Sequence, residues 1–231
     1  LKPKTPYNKE TTHMIQYVFW DNDNTLVESA ALHWRKHKEI LARHGIELED
    51  AHRERVYHNN GQQNWTWMTQ DLGLFCSCET YLDEIDTWYE AHLDEAAIRE
   101  GILEALPYFK NTGARQAVVS NGRKRSVLAI LTAKSLLPYF EFVLGKEDYE
   151  GRKPDPAPYL MALARMEELT GHSINPQDCL AIEDEAVGVT AAAKAGLPVL
   201  HRRFTEEEPP APEAFASVFH ANDFIRWIKN K

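Results

Sequence analysis

The chain has 231 residues, 43% of them hydrophobic and 26% charged, with a net charge of −9. This composition fits a soluble globular protein with room for one large domain, or a medium domain with a small one. The acidic balance argues against nucleic acid or an anionic membrane as partner, and no apolar run approaches the roughly 18–20 residues of a membrane helix.

Residues 1–13 lack hydrophobic periodicity and no secretory leader is evident, so they read as an N-terminal tail or tag-like segment. Cysteine occurs three times, at Cys76, Cys78 and Cys179. That pattern makes no disulfide framework, and a reducing cytoplasm is the expected location.

Ile15 to Trp20 is a short β-branched and aromatic run, predicted as a buried strand ending at Asp21. A helix is predicted over 28–44 and stops at Gly45. Up to about residue 105 the pattern stays helical, with a second long helix over 80–100 closed by Gly101. After Pro107 strands and helices alternate. Strands are predicted at 117–119, 142–144, 179–182 and 197–200, and helices at 124–137, 157–170, 186–195 and 223–229. Alternation of this kind predicts a parallel sheet with right-handed crossovers. The all-helical block then reads as a smaller domain inserted after the first strand.

In open parallel sheets, ligands sit at the carboxyl ends of strands. Those ends carry Asp21 and Asp23, Ser120 and Asn121, Lys153, and Glu183 and Asp184. If the strands are neighbours, four carboxylates and one ammonium share a pocket. Such a cluster calls for a divalent cation, and an oxygen donor set favours magnesium. Asp21 and Asp23, two apart, allow one carboxylate to attack an electrophile while the other handles protons.

Four stretches in order, DNDNTLVES (21–29), VVSNG (118–122), GRKPDPAPYL (151–160) and AIEDEAVGVTAAAKAGLPVL (181–200), resemble the haloacid dehalogenase superfamily. The resemblance is to its phosphoglycolate phosphatase and β-phosphoglucomutase subgroup. It implies a Rossmannoid α/β core, a central parallel sheet flanked by helices, with an inserted α-helical cap domain. The core would comprise 14–28 and 106–231, and the cap 29–105. Asp21 would be the nucleophile that forms an aspartyl-phosphate, and Asp23 the acid and base. Ser120 and Asn121 would bind the phosphate, with Lys153 bridging Asp21 and phosphate. Mg2+ would be held by Asp21, the Asp23 carbonyl and Asp184, with Glu183 nearby.

The resemblance makes a magnesium-dependent hydrolase of a small phosphorylated metabolite the first expectation. A sugar phosphomutase is the alternative, and a non-catalytic binding protein on the same fold a further one. Asp23 argues against the dehalogenase branch, which lacks that residue, and the absence of lysine between Lys38 and Lys110 argues against a Schiff-base phosphonate enzyme. Gln62, Gln63, Asn64 and Trp65 fall where the family's caps carry a specificity loop, and their amides suit a neutral polar leaving group. His33 and His37, four apart, read as a solvated helix face for want of a third metal ligand. Monomer and homodimer both stay open. Asn24 stands where the family has mostly glycine, which predicts a backbone with positive φ.

Overall fold

The computed structural model describes residues 14–230; the segment 1–13 falls outside the described residues. The first strand, β1 (Tyr17–Trp20), is buried along its whole length. Its side chains alternate: Val18 and Trp20 enter one hydrophobic cluster, Tyr17 and Phe19 the other. A strand apolar on both faces belongs in the middle of a sheet, and that is its position.

After β1 come the short β2 (Val27–Glu28) and four helices, α1 (Ala30–Arg43), α2 (Arg53–His58), α3 (Gly61–Leu72) and α4 (Cys78–Ala91). The chain returns through β3 (Ala97–Ile98), which pairs antiparallel with β2, Val27 opposite Ile98 and Glu28 opposite Ala97. The helical insertion thus leaves and re-enters on one two-stranded ribbon. The helix predicted over 80–100 ends at Ala91, because the returning chain has to extend to meet β2. His92 takes the last-turn position, its ring stacked on Trp88 at 3.8 Å.

The remainder is α5 (Ile102–Asn111), β4 (Arg115–Val119), α6 (Lys124–Ala133), β5 (Phe142–Leu144), α7 (Ala157–Thr170), β6 (Cys179–Glu183), α8 (Ala186–Lys194), β7 (Val199–Arg202), β8 (Ala216–Val218) and α9 (Ala221–Lys229). The sequence pattern anticipated neither α5 nor the edge strand β8. Pro107 reads as a helix breaker, yet it lies inside α5. The carbonyl that loses its partner belongs to Leu103, which faces solvent.

The main sheet runs β5-β4-β1-β6-β7-β8, parallel throughout. Side chains of α5, α6 and α9 pack one face, and those of α7 and α8 the other. The fold is therefore the predicted α/β class, a central parallel sheet between helices with an inserted helical cap. The chain winds outward from β1 to β4 and β5, then crosses to β6 on the other side. Strand order reverses at β1, and the crevice this leaves at the carboxyl ends is where ligands bind in such sheets.

One connection ties the ribbon to the crevice. Arg99, buried just past β3, donates to the carbonyls of Asn24 (2.5 Å), Arg202 (3.0 Å) and Arg203. Arg202, also buried, lies over the Phe224 ring at 4.4 Å and donates to the Glu100 carbonyl. Among the described residues no helix is long and apolar enough to cross a membrane.

Candidate active site

The carboxyl ends of β1, β4 and β6 are adjacent, so Asp21, Ser120 and Glu183 converge without any long-range folding of loops. They open on a cavity of about 730 Å³ between the sheet and the helical insertion. Asp21, Asp23, Ser120, Asn121, Lys153, Glu183 and Asp184 all line it, as do Gln62, Gln63 and Asn64.

Lys153 is the hub. Its ammonium is buried and lies 2.7 Å from Asp21 Oδ1, 2.6 Å from Glu183 Oε1 and 2.8 Å from the Val119 carbonyl. Burial alone would lower its pKa, but Asp21 and Glu183 hold it well above the usual lysine range. Asn121 fixes the backbone here: its Oδ1 accepts from the Lys153 N–H at 3.0 Å. Ser120 is buried and its Oγ accepts the Gly122 N–H at 3.0 Å, while Tyr149 donates to the Ser120 carbonyl at 2.5 Å.

Glu183 also accepts from the Tyr159 hydroxyl and packs on Gly188, where a Cβ would collide with the Glu183 carboxylate. Asp184 accepts from Thr25 Oγ1 at 3.1 Å, and its carbonyl lies 2.9 Å from His201 Nε2. Because His201 Nδ1 accepts the Ala211 N–H, Nε2 carries the proton and donates.

Carboxylate oxygens of Asp21, Glu183 and Asp184 lie within 4.8 Å of one another, all buried. Burial, then the charges of Asp21, Glu185 and Glu183, push Asp184 well above the usual carboxylate range. One ammonium does not balance three carboxylates, and the donors are all oxygen. The cluster therefore fits a hard divalent cation such as magnesium.

Asp23 has a different environment. Its Oδ1 receives Ser29 Oγ at 2.5 Å and His33 Nε2 at 2.7 Å. Burial would raise its pKa, but His33, Ser29 and Lys36 outweigh that and hold it below the usual range. Lys36 Nζ lies 2.9 Å from His33 Nδ1. An ammonium only donates, so Nδ1 accepts and Nε2 bears the proton given to Asp23. The His33 ring stacks on Tyr89 at 4.9 Å, and burial brings Lys36 down to about 8.

His33 and His37 are thus not a solvated face: His33 reaches into the site and His37 is buried on the Tyr81 hydroxyl at 2.6 Å. The signal was present as Ser29, His33 and Lys36 at helical spacing after Asp23. Without the insertion packed down on the sheet, nothing in the sequence says which face looks inward.

Asn24 has φ 53°, the left-handed backbone its identity suggests. Ser29 would ordinarily cap α1, but its hydroxyl is directed to Asp23, and Asn24 Oδ1 accepts the Ala30 N–H at 3.3 Å instead. The side chain thus does work that glycine could not. Asn24→Gly is expected to keep activity within about twofold and lose roughly 0.5–1 kcal/mol of stability with the cap. Asn24→Val places a β-branched residue at positive φ and should cost at least about 1–2 kcal/mol, with a clear loss of turnover. Thermal denaturation and steady-state rates of the two proteins check this.

The expected specificity loop is the start of a helix. Asn60 caps α3 and exchanges hydrogen bonds with Gln63. Asn64 is buried; its amide nitrogen donates to the Val56 carbonyl (2.9 Å) and its Oδ1 accepts from the Trp67 indole (2.8 Å). Trp65 is not among the residues lining the cavity; its indole donates to the Cys76 carbonyl at 3.0 Å. Helical periodicity turns it toward the insertion's own core, so of the four residues Gln62 is the one left exposed on the cavity without a structural partner of this kind.

Residues 18–201 match the model of the haloacid dehalogenase-like hydrolase family, and the chain belongs to that family. It is 28% identical over 196 residues to phosphoglycolate phosphatase 1 of Pseudomonas aeruginosa, covering 80% of this chain and 68% of that one. It is 24% identical to the phosphorylated carbohydrates phosphatase of Thermotoga maritima, over 79% and 82%. Among solved structures, CbbY from Rhodobacter sphaeroides in complex with phosphate superposes with a TM-score of 0.78 at 22% identity, over 89% and 94%.

Proposed function

We propose that this protein is a magnesium-dependent phosphomonoester hydrolase, acting on a small phosphorylated metabolite through an aspartyl-phosphate on Asp21. The observation that carries the reading is the Lys153 ammonium at 2.7 Å from Asp21, beside a separately held Asp23. Family membership and the phosphatases among its relatives support it.

In the first half-reaction an Asp21 oxygen attacks phosphorus, the bond to the leaving oxygen breaks, and a proton from Asp23 goes to that oxygen. Lys153 and the buried hydroxyl of Ser120 face the phosphoryl oxygens, where added positive charge is most effective. In the second half-reaction Asp23 takes a proton from water, the water oxygen attacks phosphorus, and orthophosphate leaves Asp21 free. The low pKa of Asp23 leaves it ionised, as the second half needs; for the first, its proton would come from His33 Nε2, with His33 Nδ1 taking one from the Lys36 ammonium in turn.

Asp21, the Asp23 carbonyl and Asp184 would hold magnesium, with Glu183 kept to Lys153 and Tyr159. Bound there, the ion would offset the repulsion between carboxylate and phosphate. Residues 29–105 would act as a mobile cap over a core of 14–28 and 106–231, closing the site to water. Free cysteines suit a cytoplasmic setting.

Release of phosphate from an aryl phosphate by the purified protein, with and without magnesium, tests the reading. Absence of release in both conditions, or release unaffected by chelation, rejects it. His33→Ala is expected to lower kcat about tenfold or more while KM moves less than about threefold, since it acts through Asp23 and not on substrate binding. Steady-state kinetics separate the two.

A further inference from the structure

Behind the cavity wall lies a buried carboxylate that the proposed chemistry does not use. Asp86, on α4 of the insertion, is fully buried, yet its carboxylate meets two groups on the core. Arg123 Nε lies 2.7 Å from its Oδ2, and Ser126 Oγ donates to its Oδ1 at 3.0 Å. Arg123 also lies 3.9 Å from Glu147. Arg123 and Ser126 line the cavity, one turn of chain beyond Ser120. Lys36, the cation that the insertion adds to this wall, is drawn electrostatically to both Asp86 and Asp23.

Arg123 is therefore already paired before any substrate enters. A leaving group bearing a second phosphate would have to compete with Asp86 for Arg123, and would leave a buried carboxylate uncompensated next to a dianion. An uncharged, hydroxyl-bearing leaving group meets no such conflict and can use the amide of Gln62.

We propose that Asp86 is a specificity residue: by holding Arg123 from the cap, it restricts the site to phosphomonoesters with an uncharged leaving group and rejects bisphosphates. The inference rests on the hydrolase reading and names its substrate class.

The test compares glucose 6-phosphate with glucose 1,6-bisphosphate, as kcat/KM in magnesium and as affinity by titration calorimetry in an Asp21→Asn background. Wild type should favour the monophosphate. Asp86→Asn, which keeps the shape and one acceptor oxygen but removes the charge, should raise the bisphosphate-to-monophosphate ratio at least about tenfold, the scale of one partly buried charge contact. Asp86→Asn with Arg123→Gln should return the ratio toward wild type. Arg123→Gln alone bares Asp86 and should lower the ratio, which keeps the test valid if Asp86→Asn fails to fold. A ratio unmoved by these changes, or both substrates falling in equal proportion, overturns the inference and makes Asp86 a structural latch. Loss of turnover in wild type with the affinity ratios as expected would instead sink the hydrolase reading and leave the charge selection standing.

Discussion

Asp21→Asn is expected to reduce phosphate release by at least about a thousandfold, to background, while leaving the fold intact. An amide matches the carboxylate in shape, so the Lys153 contact survives in form, but it cannot attack phosphorus. The loss should fall on kcat, because Lys153, Ser120 and the cavity wall still bind the phosphate group. A phosphate ester should therefore bind the variant with affinity close to its KM for wild type. Substantial residual turnover would mean that phosphate leaves by direct attack of water, and the intermediate on Asp21 would have to be abandoned. Acid-quench trapping of labelled phosphate on wild type, absent in the variant, gives an independent check.

Lys153→Met is expected to produce the largest change in stability. Its ammonium is 3% exposed as a side chain and contacts both Asp21 and Glu183. Methionine fills similar volume but leaves three buried carboxylates facing one another. Removing one partner of a buried ion pair costs about 3–5 kcal/mol, here borne by a cluster with no second ammonium in contact among the described residues. Turnover should vanish as well. Added magnesium should recover more stability in the variant than in wild type, because the ion then supplies the only compensating charge. Denaturant melts of both proteins with and without magnesium measure this; equal magnesium effects would show that the cluster does not take the ion.

Much of this site was legible from sequence because it depends on strand ends. A short apolar run fixes a strand, a parallel sheet fixes which end is open, and Asp21, Ser120, Glu183 and Asp184 follow directly. Lys153 was harder on physical grounds alone, since it sits in a loop nine residues past β5, and only its motif marked it. What stayed hidden depends on the insertion's packing. His33 and Lys36 face the site, and Asp86 meets Arg123 behind its wall, because of how α1 and α4 pack, which no local pattern encodes. The ribbon of β2 and β3 was equally invisible. Two residues on each side, about seventy apart in sequence, carry no periodicity to detect. Trp65 shows the reverse case: position along the chain suggested a substrate contact, and helical phase directs its indole to the Cys76 carbonyl.

Arg99 gives the ribbon a further significance. Its guanidinium joins the insertion's return strand to the carbonyl of Asn24, the residue after Asp23. The outgoing chain reaches the same loop through Ser29 and His33. In the proposed hydrolase both cords of the hinge would thus be tied to the loop that carries the proton-handling Asp23. A swing that admits substrate would then pull on that loop from two sides, joining the opening of the door to the setting of the proton.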